Sequence, residues 1–409
     1  MNTPTDTQTR FTGNFTQQEP IPEAGIEAAL RVLRHGRLHR YNVVEGEIAE
    51  AALLEQEFAA FTGAKYCLAV ASGGYALSVS LRAIGVKAGD KVLTNAFTLA
   101  PVPGSIACVG AEPVFVEINE NLVLDLDDLK AKIASSGARV LMLSHMRGHI
   151  VDMDALMEIC DAAGVQVVED CAHTMGARWN GTPSGRFGVT GCYSTQTFKH
   201  INSGEGGLMV TDDAEVMARA TMLSGSYMLY ERHLAGAPAE TFEDIRLDTP
   251  NCSGRMDNLR AAILRPQLEN LPSQCAAWNE RYRRIEAGLK NAPGISLIER
   301  DSKEGFVASS FQFLIAELSA GQIREVVARC ASRGVELKWF GADKPVGFTS
   351  RHDSWRYVSK QNLPKTDLIL RGLIDFRLPL TFTLKDCDLL AAIIRQEVGA
   401  IYQSAGSGG

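Results

Sequence analysis

No two of the nine cysteines, at positions 67, 108, 160, 171, 192, 252, 275, 330 and 387, form a CxxC pair, and their number is odd. Disulfide scaffolds and zinc sites need paired or regular spacing, so the thiols read as reduced and mostly buried, and no metal site is expected. That pattern suits the cytoplasm. Equally absent is an apolar run of about 18 residues, the length a membrane-spanning helix needs. The opening MNTPTDTQTR lacks the apolar core of a secretory signal. Basic residues are in deficit, 41 against 48 acidic ones, for a net charge of −7. Without a basic face, nucleic-acid binding is not expected. Neither a GxGxxG dinucleotide fingerprint nor a Walker loop occurs.

What is present is an ordinary globular composition, 45% hydrophobic and 22% charged, over 409 residues, which is long for one core and predicts two domains. Residues 1–20 are polar and read as a flexible segment, and 404–409 (SAGSGG) as a flexible tail. Between them, 21–270 reads as the large domain and 271–403 as a smaller C-terminal domain with its linking helix. A helix is expected from Pro22 to Gly36, its apolar stripe formed by Ile26, Leu30 and Leu33, and a second over about 46–61. Strands CLAVA, KVLTNAF, PVFVEI, RVLMLSH and VQVVED then alternate with helices over 75–85, 100–109, 125–135 and 155–164. Being apolar on both faces, these strands predict an α/β fold with a mainly parallel sheet covered by helices. Two more strands are expected near 192–194 and 207–211. A long helix over about 256–290 should be kinked or broken at Pro266 and Pro272. Mixed strand and helix patterns follow, ending in a helix over 385–402.

Open parallel sheets bind ligands beyond the C-terminal ends of their strands. Four segments fall there: Ser72-Gly73-Gly74, Phe97-Thr98-Leu99, Asp170-Cys171-Ala172-His173, and YSTQTFKHINSGEGG from Tyr193 to Gly207. Ser72-Gly73-Gly74 joins a strand to a helix, where free N–H groups favour an anion; a serine cap with a tight turn is the plain alternative. An acid closing a buried strand, as Asp170 does, needs a partner, either a protonated ring nitrogen or a structural arginine. His173 would face the same ligand or be a loop histidine. Lys199 is a poor nucleophile unless burial lowers its pKa, but a buried lysine forms Schiff bases with aldehydes. Phosphate turn, strand-end acid and lysine together ask for pyridoxal 5′-phosphate.

These residues match a known pattern. The stretch VEDCAHTMGARWNG…FGVTGCYSTQTFKHINSGEGGLMVTDD resembles the DegT/DnrJ/StrS sugar aminotransferases, which are fold-type I pyridoxal phosphate enzymes. The resemblance runs from about Gly36 to the final helix and implies a large domain with a seven-stranded type of sheet and a homodimer with shared active sites. It implies ping-pong transfer of an amino group from glutamate or glutamine to a keto or aldehyde sugar. Lys199 would be the catalytic Schiff-base lysine, Asp170 would hold the pyridine nitrogen, and His173 would lie against the ring. Ser72, Gly73, Gly74 and Ser194 would hold the phosphate, with Glu205-Gly206-Gly207 shaping the turn. NCSGRMDNLRAAI resembles the segment whose asparagine enters the partner's site, which points to Asn251, or to Ser253 in an ungapped match.

Three departures follow. Leu99 stands where the family usually stacks an aromatic on the cofactor. The asparagine register needs an insertion before Arg255. His145-Met146-Arg147-Gly148-His149 replaces a common His-Leu-Tyr-Gly, and an arginine there implies either an acidic substrate group or an ordinary salt bridge. Arg147 and His149, with Arg37, His39, Arg40 and Tyr41 from the N-terminal segment, form the candidate substrate lining. The variant resembles the branch that aminates 8-oxo-Kdo for lipopolysaccharide. Alternatives are a nucleotide-linked 4-keto-6-deoxyhexose type of acceptor, and a non-catalytic cofactor-binding regulator. The family's dehydratase branch replaces the lysine with histidine; Lys199 argues against it, although His200 is adjacent.

Overall fold

Strands buried at every position need cover on both faces, and Val140–Ser144, Thr190–Ser194 and Gly207–Thr211 are of this kind. A computed structural model describes residues 10–315, 317–349 and 351–406. Its main sheet has seven strands, in spatial order Tyr66–Val70, Gly207–Thr211, Thr190–Ser194, Gln166–Asp170, Val140–Ser144, Lys91–Asn95 and Glu112–Val116. Gly207–Thr211 runs antiparallel to both neighbours, and the remaining pairings are parallel. Register brings the site together. Ser144 pairs with Asp170, Asp170 with Cys192, Ser194 with Gly207, and Gly207 with Val70, so all these strand ends lie along one edge. Helices Gly73–Ala83, Pro101–Cys108, Leu126–Ser136 and Met153–Ala163 connect the strands close to the expected positions.

A second sheet, fully antiparallel, orders Ile295–Leu297, Ser310–Ile315, Leu373–Arg377 and Lys338–Trp339. Helices Ala320–Ser332 and Leu384–Gly406 cover it, over a core that includes Phe311, Phe313, Ile374, Phe376, Ile393 and Ile394. The helix Asn258–Leu289 joins the two cores: Ala261, Leu264, Leu268 and Leu271 enter the first, and Tyr282, Ile285 and Leu289 the second. Among the described residues no helix is long and apolar enough to cross a membrane.

Several expectations change. The linking helix is continuous through Pro266 and Pro272. Each proline costs about 3 kcal/mol in a helix interior, but four side chains of that stretch are buried in the first core, and packing outweighs the lost bonds. Within the segment expected to be flexible, Phe11 and Phe15 are buried against Phe382, and the Phe11 N–H donates to the Arg333 carbonyl. Residues 1–9 lie outside the described residues. The terminal helix continues to Gly406, beyond the expected tail boundary, while 407–409 lie outside the described residues. The first helix, Glu23–His35, also turns the other way: Gly25, Ala28 and Val32 are buried, whereas Ile26, Leu30 and Leu33 are 40%, 42% and 52% exposed. Its small residues let it approach the linking helix closely, around Ile263 and Ala262, and this directs the larger apolar side chains outward.

Candidate active site

Strand ends, one helix N-terminus and a turn enclose a cavity of about 470 Å³ lined by Ser72, Gly73, Gly74, Leu99, Ser144, Asp170, His173, Ser194, Gln196, Lys199, Glu205 and Phe348, among others. Ser72 caps the helix Gly73–Ala83 by accepting the Tyr75 N–H at 3.0 Å. The turn rests directly on the sheet edge. A Cβ on Gly73 would lie 2.8 Å from Ser194 Cβ, and one on Gly207 would lie 2.4 Å from the Ser72 carbonyl carbon. Only glycine permits such contact. The helix N-terminus and the Ser194 hydroxyl therefore form a close-fitting anion cradle.

Asp170 lies deeper. Its Oδ1 accepts the Ala172 N–H at 3.1 Å and its Oδ2 the Ser144 hydroxyl at 3.0 Å. Ser144 accepts in turn from the Thr98 hydroxyl at 2.8 Å and is tied to Asn95 through its backbone. Burial raises the Asp170 pKa, with Lys199 opposing this as the leading favourable charge. Such a carboxylate is suited to meet a protonated ring nitrogen. The preceding Glu169 is a structural hub: it accepts N–H bonds from Gly185, Phe187 and Gly188 and faces His145 at 3.1 Å. Glu169, His145 and Cys171 cluster closely enough to hold a metal ion, but the carboxylate is already occupied by these donors.

Lys199 follows on a turn, half-buried, with Nζ 2.9 Å from His173 Nε2. Burial carries its pKa from 10.5 down to about 7; Asp170 opposes this, and Arg147 and Arg377 reinforce it. His173 is held well below its usual pKa by burial and then by Lys199, and its Nδ1 accepts the Arg147 backbone N–H at 3.3 Å. A neutral ring that accepts at Nδ1 carries its proton at Nε2. It therefore donates to Lys199 whenever that amine is neutral. The hydrogen-bond pattern and the lowered pKa agree. His200 packs edge-on against Trp278, and burial followed by Lys199 takes it to about 3.

The other candidates divide. Arg147 borders a narrower recess of about 70 Å³ that shares Leu99, His173, Gln196, Lys199 and Phe348 with the main cavity. It is buried, in left-handed backbone geometry (φ 56°), with Nη2 2.9 Å from Asp375 Oδ2. His149 does not reach this site. It is buried beside Gln312 Oε1 (2.9 Å) and lines a separate cavity of about 180 Å³. Arg40 and Tyr41 are also not brought there. Arg40 makes a bidentate pair with Glu55 at 2.7 and 2.8 Å, and the Tyr41 hydroxyl meets His233 at 2.7 Å, all in the interior. Nearby Arg37 pairs with Glu47. A buried guanidinium needs its own carboxylate, and Glu55 meets that need locally. Asn251 is exposed, its Oδ1 accepting the Ser253 N–H at 3.0 Å, and neither residue borders the Lys199 cavity of its own chain.

The sequence reading missed Phe348, Gln196, Arg377 and Asp375. Phe348 borders the same cavity as Leu99, the position where an aromatic is replaced. Arg377 and Asp375 lie on Leu373–Arg377, where charged residues alternate with Ile374 and Phe376. That period of two was the available signal.

Residues 23–394 match the DegT/DnrJ/EryC1/StrS aminotransferase family. The chain is 30% identical to L-glutamine:2-deoxy-scyllo-inosose aminotransferase of Streptomyces paromomycinus over 315 residues, 76% of this chain and 72% of that one. It is likewise 30% identical to the UDP-N-acetyl-3-dehydro-alpha-D-glucosamine 3-aminotransferase of Acidithiobacillus ferrooxidans over 311 residues, 74% of this chain and 79% of that one. Two further relatives match over 40% and 59% of their own lengths. The crystal structure of 3-amino-5-hydroxybenzoic acid synthase superposes with a TM-score of 0.81 at 26% identity, covering 96% of this chain and 100% of that one. Because the match spans both sheets and its motifs fall on one cavity, the chain belongs to the DegT/DnrJ/EryC1/StrS family of pyridoxal phosphate-dependent aminotransferases, with fold type I.

Proposed function

We propose that this protein moves an amino group from L-glutamate or L-glutamine to a keto or aldehyde sugar bearing an acidic group, with 8-oxo-Kdo and lipopolysaccharide synthesis as the leading example. The observation that carries the aminotransferase part is Lys199, an amine of lowered pKa held beside His173 in one cavity with Asp170 and the glycine cradle. Bound pyridoxal 5′-phosphate supplies an aldehyde for amine exchange and a ring that withdraws electrons from the substrate carbon. Gly73, Gly74, Ser72 and Ser194 would hold its phosphate, Asp170 would keep the proton on its ring nitrogen, and His173 would orient the amine. Lys199 Nζ, near neutrality in pKa, takes a proton from the substrate carbon and returns it one position away. Arg147 at the adjoining recess supports the acidic acceptor.

A cytoplasmic homodimer with shared sites belongs to the same proposal. The outward stripe of Ile26, Leu30 and Leu33, together with exposed Leu38 and Ile48, supports a partner surface, and Asn251 is exposed as a residue reaching a partner's site would be. The second reading, a nucleotide-linked keto-sugar acceptor, draws on the similarity to the Acidithiobacillus enzyme. A non-catalytic regulator is disfavoured because Lys199, Asp170 and Ser194 converge on one cavity.

The purified protein should be yellow, lose that band on adding L-glutamate, and carry the cofactor on Lys199 after borohydride reduction. A Lys199→Ala protein that still fixed the cofactor at the same peptide would end the assignment. Turnover with a panel of oxidised sugar acids and nucleotide-linked keto-sugars then separates the two acceptor readings.

A further inference from the structure

The turn from His145 to His149 is strained, and both sheets hold it. Arg147 has left-handed backbone geometry (φ 56°), which is costly for most residues other than glycine and mildest for asparagine, and Gly148 follows at φ 81°. A Cβ on Gly148 would lie 2.9 Å from the Val307 carbonyl oxygen and 3.2 Å from that of His173. On the main-sheet side, His145 Nε2 meets Glu169 Oε2 at 3.1 Å. On the other side stands one fully buried carboxylate of the second sheet, Asp375. Its Oδ2 lies 2.9 Å from Arg147 Nη2, and its Oδ1 accepts from Gln312 Nε2 at 2.7 Å. Gln312 Nε2 also donates to Ser310 Oγ at 2.8 Å, so its Oε1 accepts the Nε2 proton of His149 across 2.9 Å. Burial holds His149 neutral, well below its usual pKa. Arg147 directly, and His149 through Gln312, thus end on the same carboxylate.

The strained residue is also the one that meets His173. The Arg147 N–H donates to His173 Nδ1 at 3.3 Å. Apart from Lys199 Nζ at 2.9 Å, no other group bonds that ring among the described residues. The charged and titratable groups that act on it most are Lys199, Arg147, His200 and Arg377, all bases. Those acting on Lys199 are Asp170, Arg147 and Arg377. The tautomer of His173 therefore depends on one backbone N–H, because the hydrogen bond at one ring nitrogen decides which nitrogen carries the proton. A residue in an unfavourable conformation keeps it only while its surroundings hold it there. Arg300 Nη1 donates to the Gly148 carbonyl at 2.9 Å and braces the far end of the turn, while Arg147 itself is anchored by Asp375.

We propose that Asp375 is a positioning residue for Lys199: by anchoring Arg147, and His149 through Gln312, it keeps the strained turn aimed at His173 Nδ1 and so fixes the His173 proton on the nitrogen that faces Lys199. Asp375 borders neither the main cavity nor the recess, so its effect passes through the turn. This deepens the aminotransferase reading and rests on it, since the orientation of the Lys199 amine matters to that reaction. A ring protonated at Nδ1 instead would turn an Nε2 lone pair toward Lys199 and favour the ammonium form.

Nitrogen NMR of histidine-labelled holoenzyme, with His173 assigned by difference from His173→Gln, reads the tautomer directly. The parent should show His173 protonated at Nε2 alone, and Asp375→Asn a mixture of both tautomers. In the full chain stripped of cofactor, the pH at which pyridoxal phosphate uptake levels off should rise in Asp375→Asn by about half a unit or more. Loss of the Asp375 charge by itself would move that pH down, because removing a negative charge favours the neutral amine. The direction of the change therefore separates positioning from plain electrostatics. Arg147→Met, which loses the anchored side chain and resists left-handed geometry, should also give the mixture. Arg147→Asn loses the same anchor but tolerates that geometry, and should keep the single tautomer. A single Nε2 tautomer in Asp375→Asn, with uptake levelling off at an unchanged or lower pH, would overturn the proposal. Equal mixtures in the two Arg147 variants would overturn the route through the strained turn. Should Asp375→Asn not fold, the Arg147 pair decides between these outcomes. The tautomer is read without turnover, so its failure leaves the assignment of Lys199 standing, and that assignment fails by the borohydride experiment instead.

Discussion

An exposed lysine at pH 7 is a free amine in about one molecule in three thousand, whereas Lys199, with its pKa near 7, is free in about half. The gain in reactive amine is on the order of a thousandfold, and burial is its largest cause. It follows that the rate at which stripped protein takes up pyridoxal phosphate should level off just above pH 7 rather than climb toward 10.5. Asp170→Asn removes the charge that opposes the shift, so its inflection should move below pH 7. The same shift has a stability counterpart. The unfolded chain keeps the proton up to about 10.5 and the folded one releases it near 7, so stability rises with pH through that window. Keeping the amine neutral costs the fold about 4 kcal/mol at pH 7. Lys199→Met should then stabilise the stripped protein at pH 7, by about 2 kcal/mol once the loss of its charge beside Asp170 is deducted. That advantage should vanish by pH 10.5. Uptake that keeps rising to pH 10, or a Lys199→Met protein no more stable than its parent at pH 7, would refute the reasoning.

Two further outcomes test the scaffold. Gly73→Ala forces a Cβ within 2.8 Å of Ser194 Cβ and should weaken cofactor binding at least tenfold in an equilibrium titration, with a stability cost of about 1–3 kcal/mol. Glu55→Gln leaves buried Arg40 without its counter-charge and should lower unfolding stability by about 3–5 kcal/mol in a denaturant titration. Because Glu55 is held at about 2, against 4.5 when unfolded, the parent loses this contribution as pH falls toward 2, and the variant has none to lose.

The main sheet was legible because its strands are short, apolar on both faces and punctuated by helices, so their positions follow from local pattern. The smaller sheet was harder. Leu373–Arg377 carries two charges that hide a strand unless the alternation is counted. The helix Glu23–His35 misled for another reason: its periodicity is real, but small residues chose the packed face. Arg40 and Tyr41 share that lesson, since sequence proximity to a cleft does not say whether Glu55 and His233 lie closer.

Residue identities and spacing alone determined the chemistry. A lysine, a strand-end acid and a Ser-Gly-Gly turn at parallel-strand ends admit few cofactors, because each supplies a group that pyridoxal phosphate requires. Tertiary structure decided which way each charge faces. Burial, reinforced by Arg147 and Arg377, frees the amine of Lys199, Glu55 takes Arg40 out of the cleft, and the second sheet brings Arg377 and Asp375 across to Arg147 from more than 200 residues away. Partners so distant in the chain leave no local trace in sequence, since their pairing depends on how two separately folded sheets pack.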